Sequence, residues 1–166
     1  MRLMRGFTLI ELMVTIAVLA IIVTIGIPGF SNLIRNTTAS GLSNDMVGAF
    51  QFARSEAVNR NELVGVCSGQ TVAACGAGWT NGWIVFVVSD GAILRRWEAP
   101  DSDAIINQDA GANSTIIFGG DGRAVSATNI NMNIDGCTDN EERVLSINTL
   151  GRVSIRRVAC ATSSSS

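Results

Sequence analysis

The chain has no histidine, no tyrosine and no lysine, so all 12 of its basic residues are arginine. Each absence removes chemistry. Without histidine, the usual general base and the commonest metal ligand are missing. Without histidine and lysine, a Ser-His-Asp triad, a Ser-Lys dyad and a phosphate-cradling P-loop cannot be built. Charge is sparse as well, at 16% of residues against 47% hydrophobic, and the formal total is −2. That total gives no protein-wide attraction to nucleic acid or anionic lipid. Two carboxylates could still act as acid and base. Asp101 and Asp103, however, stand beside Pro100 in an expected loop, where solvated turn acids are the commoner case. Asp135, Asp139, Glu141 and Glu142 offer oxygen ligands for calcium but lack EF-hand spacing. Neither catalysis, a metal nor a cofactor is expected.

What the chain does have is an apolar run near its start. From Phe7 to Ile27 the run is interrupted by one carboxylate, Glu11. As a helix, a run of this length covers roughly 30 Å, the thickness of a bilayer's hydrocarbon core. A secretory signal peptide would place its small-residue cleavage site after the apolar run. Here the obvious break, between Gly6 and Phe7, lies before it. A cut there would remove Arg2 and Arg5, taking the formal charge from −2 to −4, and would leave the apolar helix in place. A carboxylate inside a membrane costs about 2.5–3.5 kcal/mol even on lenient insertion scales. Glu11 therefore calls for a partner, or for a place near the headgroups.

The residues Gly6-Phe7-Thr8-Leu9-Ile10-Glu11-Leu12 resemble the class III leader of type IV pilins and type II secretion pseudopilins. The resemblance implies that a prepilin peptidase cuts after Gly6 and methylates the new N-terminus at Phe7. It also implies that Glu11 faces the N-terminal amine of a neighbouring subunit. A buried charge becomes tolerable once it is paired and hydrogen-bonded.

Pro28, flanked by Gly26 and Gly29, predicts a kink or local opening of the helix. Beyond it, Leu42, Met46, Ala49, Phe50, Ala53 and Ala57 recur at spacings of three and four, which makes one apolar stripe. A single helix over roughly residues 8–60 accommodates both halves. From Glu62 onward the pattern becomes β. Short runs at Leu63–Cys67, Trp83–Val88, Ala92–Trp97, Thr115–Phe118, Asn129–Ile134, Val144–Ile147 and Val153–Val158 are divided by glycine, asparagine and aspartate turns. The fold class expected is α+β, a long N-terminal helix laid on antiparallel sheet. Its segments are a cleaved leader at 1–6, a transmembrane or filament-core helix at 7–28 and its amphipathic second half at 29–61. A β-rich domain at 62–160 and a disordered tail at 161–166 follow. Trp83 and Phe86 read as core residues of a central strand.

Four cysteines behind an export signal point to disulfides. Of three possible connectivities, spacing favours Cys67 with Cys75 and Cys137 with Cys160, and sequence alone does not exclude the other two. Zinc would want closely spaced pairs that are absent here.

The body of the chain narrows the resemblance. Ala53-Arg54-Ser55-Glu56-Ala57-Val58, Gly82-Trp83-Ile84-Val85-Phe86, Phe118-Gly119-Gly120-Asp121-Gly122-Arg123 and Gly151-Arg152 resemble GspH/FimT-type minor pilins and pseudopilins. This implies the type IV pilin fold and a structural role in pilus assembly, at the tip, by a single-pass inner-membrane protein with a periplasmic C-terminal domain. The partners implied are the prepilin peptidase, the major pilin, other minor pilins and the inner-membrane assembly platform. Two alternatives remain. One is a minor pseudopilin of type II secretion. The other is a DNA-binding pilin using Arg152, Arg156 and Arg157 to contact phosphates without sequence preference. FimT-type members carry a GRxR motif, but here Gly151-Arg152-Val153-Ser154 lacks the second arginine. The commoner role for such residues is a charged edge strand that resists edge-to-edge pairing.

Overall fold

The computed structural model describes residues 7–112, 114–137 and 141–160, with the side chains of residues 25–29 outside the description. Gly6 with the rest of the expected leader, Asp139 and the tail from 161 also lie outside it. The chain divides into two units, Met1–Ile34 and Arg35–Ser166.

Helix α1 runs Leu9–Arg60. It starts where Thr8 Oγ1 accepts a hydrogen bond from the Glu11 amide at 3.3 Å, the Thr-x-x-Glu spacing of a capping box. It ends at Asn61, whose φ of 53° turns the backbone left-handed while the Glu62 N–H donates to Ala57 O at 3.2 Å. Pro28 lies within α1, which is assigned as helix through it.

In the second unit, β1 (Val64–Ser68), β2 (Trp83–Val87), β3 (Ile93–Trp97) and β5 (Thr115–Phe118) form one antiparallel sheet in the order β3-β2-β1-β5. Strands β4 (Ala104–Gln108), β6 (Thr128–Ile134), β7 (Glu142–Ile147) and β8 (Val153–Val158) form a second, in the order β4-β6-β7-β8. The antiparallel strands thus form two sheets. The split follows from β5, which returns to pair with β1, and from β4, which pairs with β6. Both are non-local pairings. Strand β4 itself was unforeseen, because the acids of 101–103 read as loop.

All six residues of the predicted helical stripe are buried, none more than 7% exposed, and they share one core with Val64, Val66, Val85, Ile116, Phe118, Ile130, Met132 and Leu145. Strands β1 and β2 are buried along their whole length because they are covered on both faces. Val64, Val66, Trp83 and Val85 face the main core, while Cys67, Ile84 and Phe86 form a smaller cluster with Cys75 and Ile93. Trp83 and Phe86 are core residues of an inner strand. The Cys67–Cys75 disulfide, with Cα atoms 5.3 Å apart, covers that second cluster. Cys137 joins Cys160 just past β8, with Cα atoms 6.0 Å apart.

Candidate assembly surface

From Leu9 to Thr24 the side chains of α1 are exposed and, Thr15 and Thr24 apart, apolar, with Glu11 as their single charge. Phe7, ahead of the helix, is exposed too. In the first turn Glu11 sits where the helix dipole favours an anion, and its amide is capped by Thr8. Sequence reasoning missed this capping role, although the Thr-x-x-Glu signal was present. Dipole and cap effects amount to about 0.3–1 kcal/mol, well below the cost of a carboxylate in hydrocarbon. Among the described residues, no helix is long and apolar enough to cross a membrane. The stretch with described side chains rises only about 24 Å, and the expected span to Ile27 extends into residues 25–29.

The body motifs converge. Arg54 donates from Nε to Gly122 O at 2.8 Å and from Nη2 to Leu150 O at 3.5 Å. Gly122 and Gly151 both have φ of 75°, and a Cβ on Gly151 would collide with Gly122 O. The two turns are closed locally by Gly122 N–H to Gly119 O at 2.8 Å and Gly151 N–H to Asn148 O at 2.9 Å. Arg54, the Gly119–Arg123 turn and the Gly151-Arg152 pair are therefore one latch between the end of α1 and both sheets. Its role is structural.

The three candidate DNA contacts are exposed, but the fold does not gather them on one face. Arg152 precedes β8, and its amide donates to Asn148 Oδ1 at 2.9 Å. Arg156 lies opposite Val144 and Arg157 opposite Arg143, on alternate faces of β8. Strand β8 is a sheet edge.

A buried arginine was also missed. Arg143, 2% exposed, donates to Glu141 O at 2.8 Å, to Ser40 Oγ at 3.3 Å and to Asn36 Oδ1, tying β7 to α1. Burial first, and then the neighbouring Arg157 charge, hold its guanidinium below the ordinary arginine pKa, while Glu141 acts in the opposite sense. Among the described residues, no group of three or more His, Cys, Asp or Glu side chains is arranged for a metal ion.

The model of the family described as "Type II transport protein GspH" matches residues 42–151, and that of the prokaryotic N-terminal methylation motif matches residues 1–27. The chain belongs to the GspH family. The GspH match spans α1 from Leu42 onward, strands β1 to β7 and the Arg54 latch as far as Gly151. No curated protein matches the sequence. Two crystal structures of the type IV minor pilin FimU from Pseudomonas aeruginosa are similar. One has TM-score 0.60 and 22% identity, covering 71% of this chain and 87% of that one. The other has TM-score 0.55 and 25% identity, covering 72% and 90%. The minor pseudopilin EpsH from the type 2 secretion system of Vibrio cholerae has TM-score 0.51 and 11% identity, covering 73% of this chain and 96% of its own. The family comprises pilins and pseudopilins, and the fold is the type IV pilin fold, a long N-terminal helix packed on antiparallel sheets.

Proposed function

We propose that this GspH-family chain is a minor pilin that enters type IV pili at the tip and helps to prime their assembly. The observation that carries this reading is the outward apolar surface of α1 from Leu9 to Thr24 with Glu11 alone upon it. In this reading the prepilin peptidase cuts between Gly6 and Phe7, and the apolar helix anchors the protein in the inner membrane before assembly. It then packs among other pilin helices, bending near Pro28. Glu11 meets a neighbour's N-terminal amine, so that an unpaired charge penalises a misaligned subunit. The major pilin, other minor pilins and the inner-membrane platform are the partners. The test is the surface piliation of a strain lacking this gene. Normal piliation would redirect attention to type II secretion, where a pseudopilin of the same fold would serve.

A second reading, reception of DNA, is supported by the exposure of Arg152, Arg156 and Arg157. Replacing all three with alanine separates the two. Loss of DNA uptake with pili intact would favour reception, and the priming reading expects neither uptake nor pili to change.

A further inference from the structure

Each sheet has two outer strands, and three of the four are engaged or interrupted. Strand β5 is bridged at Phe118 to Ala124, and Ile117 O accepts from the Val125 amide at 2.9 Å. Strand β4 ends against the turn Trp79–Asn81, where Gln108 Oε1 accepts from Trp79 Nε1 at 3.3 Å. Strand β3 shifts register against β2 between Val85 and Phe86. Its two arginines are occupied within the chain. Arg96 Nε donates to Gln70 O at 3.2 Å, and the Arg95 guanidinium sits 4.6 Å from the centre of Trp97.

Strand β8 differs on each count. It has six residues and no proline, and its register against β7 is unbroken from Ile147↔Val153 to Glu142↔Val158. Both ends are held, by Asn148 N–H donating to Arg152 O at 3.2 Å and by the bridge from Cys160 to Cys137. Edges are commonly blunted by short length, proline, bulges, a cover or charge, and β8 relies on charge alone. Arginine repels a basic strand but admits an acidic one. Arg156 and Arg157 are exposed, and among the described residues neither side chain has a hydrogen bond or ion pair. Ile155 is 36% exposed although Leu145, opposite it, is fully buried.

The placement of the two charges identifies the occupant. They stand on opposite faces of β8, so phosphates lying along either face meet only one of them. A strand added at the edge also sends consecutive side chains to opposite faces, about 5 Å from their cross-strand neighbours. Two consecutive acids in it would meet both arginines. Arg157 has a further need for an acid, because on its closed side it lies opposite Arg143, and like charges opposed in a ladder are destabilising. A second copy of β8 holds no acid to offer.

We infer that β8 receives an extended acidic segment of a partner polypeptide as an added strand, with consecutive acids opposite Arg156 and Arg157 and an apolar residue opposite Ile155. Main-chain hydrogen bonds to the open edge supply affinity, and the acids supply selectivity. Pilus priming as proposed above leaves this edge free, and binding here does not depend on it.

The test is fluorescence anisotropy of a rhodamine-labelled peptide, Val-Glu-Glu-Val-Thr-Val, titrated with the detergent-solubilised full chain. The expected result is saturable binding, weakened about tenfold when both glutamates are replaced by glutamine. Methylating the peptide's amides at alternate positions distinguishes an added strand from a loose ion pair, since only one side of such a strand bonds to β8. One alternate set should abolish binding and the other should preserve it. The double variant Arg156→Glu, Arg157→Glu should refuse the glutamate peptide and accept Val-Lys-Lys-Val-Thr-Val. Equal affinity for both methylated peptides, which needs no variant, would overturn the inference. So would a double variant that gains nothing for the lysine peptide, or displacement of the glutamate peptide by a single-stranded thymidine oligonucleotide, which would favour the DNA reading.

Discussion

Arg54, on the last turns of α1, holds the carbonyl oxygen of Gly122, 68 positions along the chain, at 2.8 Å. The same guanidinium reaches Leu150 O, 96 positions away. One side chain thus joins the helix to a turn after β5 and to the turn between β7 and β8.

Arg54→Ala should destabilise the protein by about 1–2 kcal/mol, because two main-chain carbonyls lose a charged donor. In a domain of this size that is a fall of about 3–6 °C in melting temperature. Thermal unfolding of the detergent-solubilised chain measures it. A melting temperature within 1 °C of wild type, roughly the noise of a surface substitution, would mean the latch contributes nothing.

Two glycines should respond oppositely to the same substitution. Gly41 lies within α1 with open space where a Cβ would sit, so Gly41→Ala should stabilise by about 0.5–1 kcal/mol. Gly151 has φ of 75° and a Cβ there would meet Gly122 O and, at 3.1 Å, Arg54 Nε. Gly151→Ala should destabilise by at least about 1 kcal/mol. Changes of the same sign in the two melts would contradict these assignments.

Much of this architecture was legible in the sequence, for reasons visible in particular residues. The stripe from Leu42 to Ala57 is local and periodic, so its burial followed from spacing alone. Strands such as Thr115–Phe118 and Val153–Val158 were bounded by glycine and aspartate turns. Strand β4 was hidden because Ala104–Gln108 is short, follows three polar turn residues and ends in Asn107-Gln108. The division into two sheets depends on β5 crossing back to β1, which no local pattern encodes. The pocket lined by Asp45, Trp83 and Asp101 was illegible for the same reason, since residues so far apart in sequence line one space only in the folded chain. Arg143 carried no local signal of its burial beneath Asn36 and Ser40.

The two disulfides should contribute unequally. In the chain-entropy model, the bridge across 23 positions stabilises by about 3 kcal/mol and the bridge across 8 by about 2.5. Cys67, on β1, is fully buried in the cluster with Ile84 and Phe86, so Cys67→Ser also leaves a hydroxyl in an apolar cluster. Cys67→Ser should therefore melt as low as Cys137→Ser or lower, despite its shorter loop. Melting well above Cys137→Ser would reject the packing role of the first bridge.

Glu11→Ala should leave export and membrane insertion intact while sharply reducing recovery of the protein in sheared filaments. The change removes a charge that costs about 2.5–3.5 kcal/mol in hydrocarbon, so membrane retention should not fall. Wild-type levels of the variant in filaments would remove the pairing argument.

The central claim is that the chain is a filament subunit that starts pilus assembly. Its most direct test is the amount of major pilin sheared from cells lacking this gene, against the same strain complemented with the wild-type chain. The account predicts a strong drop in the deletion, restored by complementation. Equal major pilin from both strains would contradict it.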